Sequence, residues 1–230
     1  MSKHGENIAN KELENVEEIL NKSEQFIEKN QKFLIYGLLI ITLAVSAFFG
    51  IRHTFLLPKE QKASAAIFQS EINFAKDSFS LALKGDGITN LGFEGIIDQY
   101  GSTNAGNLAK AYAGICYFKL GDNQKAIEVL KSFSSKDKMI SPAITGLIGD
   151  CYVNMGNTKE GIDYFVKAAK EANNNTISPE YLKKAGRAYE SLGEYKKAVE
   201  VYTSVKDNYP LSMDAADIDK YIARAQNQQK

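Results

Sequence analysis

Ala113-Gly114-Ile115-Cys116-Tyr117 recurs as Ile148-Gly149-Asp150-Cys151-Tyr152 and again as Ala185-Gly186-Arg187-Ala188-Tyr189, at steps of 35 and 37 residues. Four residues after each tyrosine stands Gly121, Gly156 or Gly193, which ends a first helix. Five residues further comes Ala126, Gly161 or Ala198, then Leu130, Phe165 or Tyr202, then Phe133, Ala168 or Val205. Apolar residues at helical spacing on both sides of a glycine describe a helix, a tight turn and a second helix. A repeat of this period cannot bury its apolar face alone, so the copies must stack. The small residues let the two helices of a pair approach closely, and the large ones fill the space between neighbouring pairs.

The pattern resembles the tetratricopeptide repeat, which has a period of about 34 residues with G-x2-Y, A-x3-F and a closing proline. The third copy matches best, with Pro210 closing it, whereas Pro142 and Pro179 come late, after slightly long loops. Gly161 stands where alanine is usual and is expected to weaken its helix by up to about 1 kcal/mol. The expected fold is all-α: a single N-terminal transmembrane helix followed by a tetratricopeptide-repeat α-solenoid. Its parts are a polar tail (1–32), the membrane helix (33–51), an irregular opening repeat (58–106), three repeats (107–210) and a capping helix with its tail (211–230).

The membrane helix is Phe33 to Ile51, nineteen residues without a charge. As a helix it spans about 28 Å, close to the hydrocarbon thickness of a bilayer. A buried core helix would keep a polar stripe, and this run offers only Thr42 and Ser46. It begins too far along the chain and is too long for a cleaved signal peptide, so an uncleaved signal anchor fits better. Charge does not orient it, because Lys22, Lys29 and Lys32 are matched by Arg52, Lys59 and Lys62. In the tail, Met1 to Asn10 is expected to lack order. Leu13, Val16, Leu20, Phe26 and Ile27 recur at helical spacing among seven acidic residues, an acidic amphipathic helix better suited to a partner helix or to water than to a lipid surface.

Pro58 is expected to break the chain before a helix over Lys59 to Ala75, with Phe79, Leu81 and Leu83 either extending it or forming a separate turn. Gly85-Asp86-Gly87 reads as a turn. Asn90 reads as the cap of a helix through Tyr100, followed by a loop from Gly101 to Asn107. Met213 to Gln226 carries Ile218, Tyr221, Ile222 and Ala225 on one face and is expected to cap the array.

Composition argues against chemistry. The chain is net neutral, with 22 basic against 21 acidic residues from Pro58 onward, which speaks against nucleic acid as a partner. His4 and His53 are the only histidines, and neither lies in the repeats. No catalytic residue, cofactor, metal or small-molecule substrate is expected, and the tyrosines sit where packing needs them. Cys116 and Cys151 occupy equivalent positions, about a helix spacing apart and beyond disulfide reach, so buried free thiols are favoured over a bridge.

The tetratricopeptide resemblance implies a groove lined by the first helices, whose exposed residues would be Ile115, Phe118, Lys119, Asp150, Val153, Asn154, Arg187 and Glu190. Either it binds a protein segment or it is an ordinary solvated face. The chaperone-tail subclass clamps a terminal carboxylate with a Lys, Asn, Asn set. Here those positions hold Ala111, Ile115 and Lys119, then Gly146, Asp150 and Asn154, so that clamp is absent. An acidic tail helix, one anchor, an Ala-rich opening repeat and three copies together resemble the ancillary subunit of the bacterial Sec translocon. That resemblance implies a non-enzymatic scaffold in the bacterial inner membrane, with a cytoplasmic N-terminus and a periplasmic repeat domain. Its partners would be translocon subunits or periplasmic chaperones. A repeat adaptor for envelope assembly or cell division is the alternative.

Overall fold

In the computed structural model, the backbone of residues 3–229 and the side chains of residues 24–229 are described, and every element among them is helical. The chain forms two compact units, Met1–Pro58 and Lys59–Lys230. The first is dominated by helix α1, Lys3–Ile51. It starts inside the stretch expected to lack order, while the face proposed for Leu13, Val16 and Leu20 falls outside the described side chains. No residue between Phe33 and Ile51 is buried, so the core-helix alternative falls away. This helix is long and apolar enough to cross a membrane. Within it the Thr42 hydroxyl donates to the Leu38 carbonyl, and just beyond its end the Thr54 hydroxyl donates to the Gly50 carbonyl, both at 2.8 Å. A segment in lipid needs such internal satisfaction, because lipid offers no partner.

The break expected at Pro58 is not a loop. Arg52–Leu56 forms a π-helical turn, with the Leu57 N–H donating to the Arg52 carbonyl, and helix α2, Leu57–Ala75, has Pro58 as its second residue. Pro58 has no N–H to donate into the turn before it, and the wider π-helical register falls directly ahead of it.

Asp77, in the left-handed region at φ 55°, ends α2 and separates it from the short helix α3, Phe79–Lys84. Asp86 then organises the turn before helix α4, Gly92–Tyr100: its carboxylate accepts the N–H groups of Asn90, Ile88 and Thr89. Asn90 lies one residue before the N-cap of α4, which is Leu91; its Oδ1 accepts the Gly92 N–H at 3.1 Å and the Ser70 hydroxyl at 2.9 Å, tying the helix start to α2.

Helix α5, Asn104–Lys119, begins three residues before the loop was expected to end. Thr103 Oγ1 accepts the Gly106 N–H at 2.9 Å, and Glu60, on α2, accepts the Asn104 and Ala105 N–H groups at 2.8 and 3.0 Å. Two carboxylate oxygens on a helix N-terminus satisfy orphan donors and oppose the positive end of the helix dipole. This fork fixes α2 against the first repeat. Below it Ala63, Ile67, Leu83, Phe93, Ile96 and Ala109 share one core.

The repeats follow as three helix pairs: α5 with α6 (Asn123–Lys131), α7 (Ile140–Asn154) with α8 (Thr158–Ala172), and α9 (Ser178–Ser191) with α10 (Tyr195–Asn208). The turn is the same in each. Gly121, Gly156 and Gly193 are left-handed, and the N–H of the residue after each donates to the carbonyl of Tyr117, Tyr152 or Tyr189 at 2.9 Å. Only glycine adopts that conformation without strain, which is why the spacing from tyrosine to glycine is constant. Pro142 and Pro179 do not close repeats; they lie in the first turns of α7 and α9, both buried. After a 3-10 turn at Asp214–Ala216, helix α11, Ile218–Asn227, covers α10 with Ile218 and Ala225 buried, and Met213 lies outside it.

Within each pair the first helix offers a glycine to the second. A Cβ on Gly114 would strike Leu130, one on Gly149 would strike Phe165, and one on Gly186 would strike Tyr202. In the middle pair the approach is closer still. Gly161 replaces the alanine of the other copies because a Cβ there would lie 2.9 Å from the Gly149 carbonyl oxygen. Its helix is unbroken, and its glycine is a packing requirement.

Candidate protein-binding groove

The eight residues expected in a groove lie on the first helices but do different work. Asp150 accepts from Lys184 Nζ at 2.7 Å, tying α7 to α9, and Glu190 accepts from Arg224 at 2.7 Å, tying α9 to α11. Asn154 donates to Asn123 at 3.2 Å. Phe118 and Val153 are half-buried against the repeat cores. Lys119 and Arg187 are exposed, and among the described residues neither is in an ion pair.

Ile115 belongs to a different feature. With Leu108, Ala111 and Tyr112 of α5 it faces Met139 and α7 residues Ile140, Ala143 and Ile144 across a cavity of about 330 Å³ whose exposed lining is wholly apolar. Leu108, Met139 and Ile140 remain 38%, 51% and 48% exposed, so the cavity opens to solvent. Behind it the Tyr181 hydroxyl donates to the Ala143 carbonyl at 3.4 Å, and burial raises its pKa to about 12, so it stays protonated and keeps donating. The link from Ser132 to Met139, which carries Lys136 and Lys138, reaches the cavity at Met139. Its Asp137 carboxylate accepts the N–H groups of Met139 and Ile140, both at 2.8 Å.

Sequence reasoning found Ile115 but missed its pocket partners. Ala111 and Leu108 sit one and two turns earlier on the same face, a spacing that could have been read, whereas Met139 and Ile140 precede the recognised motif of their copy and carry no signal in it.

The thiols of Cys116 and Cys151 are free and buried. Burial pushes both up to about 12, which keeps them neutral and unreactive.

One tetratricopeptide-repeat model matches residues 112–137 and 182–212, and a second matches 146–175. These helix pairs are tetratricopeptide repeats. The crystal structure of MamA protein is similar, at 19% identity and a TM-score of 0.53 over 73% of this chain and 91% of that one. So are the nearly identical TPR-like repeats assigned to a Podosopora anserina kinesin light chain, at 13% identity and a TM-score of 0.54 over 74% and 87%. At these identities the likeness is one of fold. No curated protein matches the chain. Tetratricopeptide arrays serve protein partners, and the apolar cavity between the first helices of repeats one and two is one place where this array offers uncovered apolar surface.

Proposed function

We infer that this protein is a membrane-anchored scaffold that holds protein partners through its tetratricopeptide groove and catalyses no reaction itself. The observation that carries this reading is the open, wholly apolar cavity between α5 and α7. An apolar surface of this kind is costly in water unless something covers it. The long apolar helix α1 supports attachment to a membrane, with the repeats held beside it.

The finer reading is a protein of the bacterial inner membrane, N-terminus in the cytoplasm and repeats in the periplasm, assisting the Sec translocon or chaperones beside emerging chains. Its support is the order of parts: acidic tail, single anchor, irregular opening repeat, three repeats. Crosslinking in intact membranes followed by mass spectrometry tests it. Translocon subunits are expected among the crosslinks to Ile115 and Met139 positions. Recovery of cell-division or envelope-assembly proteins with no translocon component would replace the translocon with the adaptor role. An Ile115→Asp variant that folds but keeps every crosslink would overturn the groove itself.

A further inference from the structure

The chemistry of the ligand is written around the cavity rather than in it. Its walls offer no cation, and the Tyr112 hydroxyl is turned to Glu71, which with burial keeps its pKa above the ordinary value. A charged chain terminus entering here would lose its water with no donor to replace it. Only uncharged apolar side chains fit, so the occupant enters by its middle.

The rim carries a sign. Of the acids on the first helices, Asp150 is paired with Lys184 and Glu190 with Arg224, while Glu180 in the first turn of α9 stays exposed. At the near edge, the backbone N–H groups of Ile140 and Met139 hold Asp137 below the ordinary carboxylate range, so it stays ionised and offsets one of the two lysines beside it. Glu180 and Asp137 are outnumbered by four exposed cations: Lys119, one helical turn beyond Ile115, Arg187 on α9, and Lys136 and Lys138 beside Met139. One turn is about 6 Å. Adjacent first helices stand about 8–10 Å apart. At about 3.3 Å per extended residue, the cations lie roughly two to six positions from a side chain seated in the cavity.

We propose that the groove takes an internal apolar segment of another polypeptide carrying acidic residues two to six positions from its apolar anchors, and that it does not read chain ends. This rests on the groove reading above. It commits to one occupant because charge complementarity excludes a basic segment and the apolar walls exclude a terminus.

Fluorescence anisotropy with the full chain in nanodiscs tests it, using three labelled peptides of one apolar core. The first is blocked at both ends and carries two aspartates four positions on, the second has lysines in their place, and the third ends in a free carboxylate directly after the core. The first peptide is expected to bind at least tenfold tighter than the second, by a margin that shrinks with added salt and disappears in Lys119→Glu/Arg187→Glu. It is also expected to bind at least as well as the third. Equal binding of the first two, lost in Ile115→Asp, would overturn the acidic preference and leave the groove standing. A requirement for the free carboxylate would overturn internal recognition. Failure of all three would overturn the groove. Circular dichroism of each variant confirms its fold.

Discussion

Replacing Gly161 with alanine sets two physical effects against each other. In an isolated helix the change is favourable by up to about 1 kcal/mol, because glycine surrenders more backbone freedom than alanine. In this fold the new Cβ would lie 2.5 Å from Val153 Cγ2 and 2.9 Å from the Gly149 carbonyl oxygen. The valine can rotate, but the carbonyl belongs to the backbone of α7 and cannot. Ordinary contact would require α7 and α8 to separate by roughly 0.5 Å, and overpacking of this kind costs about 1–3 kcal/mol. The packing effect outweighs the propensity effect, for a net loss of about 1–2 kcal/mol. In a domain of this size that lowers Tm by roughly 2–8 °C. Thermal unfolding followed by circular dichroism on the full chain in nanodiscs reads it, with Ala198→Gly as the control. Ala198 is fully buried at the equivalent position of the third repeat, so glycine there should also destabilise, by about 1 kcal/mol or more. A rise in Tm for Gly161→Ala would refute the close approach of α7 and α8.

Three further outcomes are expected. Glu60→Gln removes the charge from the fork on α5 and should cost about 1 kcal/mol. Hydrogen exchange should quicken at Asn104 and Ala105, and unchanged exchange there would refute the contact. Cys116 and Cys151, held near 12 by burial, should resist iodoacetamide at pH 8 in the folded protein and react promptly in urea. Because their folded pKa lies above the unfolded value, their share of stability is complete below the unfolded pKa of about 8.5 and is lost as pH rises towards 12. Unfolding midpoints at pH 7 and pH 10 check the sign. Finally, alkaline carbonate should leave the whole chain in the membrane pellet and release a variant lacking residues 33–51. Protease added to spheroplasts should digest the repeats if they are periplasmic.

The helix pairs and their turns were legible because a left-handed glycine and a packing tyrosine are each demanded locally, at fixed spacing. The apolar run was legible because length and absence of charge are sequence properties. Other features depend on residues far apart in the chain. Nothing around Glu60 announces that it caps a helix 44 residues later. Gly161 read as a weakness because its partner, Gly149, becomes visible only when the helices pack. Pro58 read as a break because the neighbouring π-helical turn has no sequence signature. The groove was half legible: helix position gave Ile115, but only the fold shows which charged groove residues are spent on each other.

Those spent charges share a rhythm. Lys184 reaches Asp150, Arg224 reaches Glu190 and Lys183 reaches Asp217, each across 34 residues, slightly less than one repeat. Every such bond therefore joins a unit to its immediate successor. Copying the second repeat would set Leu147, the counterpart of Lys184, against Asp150, so each seam is closed by residues of its own and not by ones the repeat carries everywhere. The third repeat shows this at its end, where α11 supplies with Arg224 and Ile218 the polar and apolar contacts that a fourth first helix would otherwise bring.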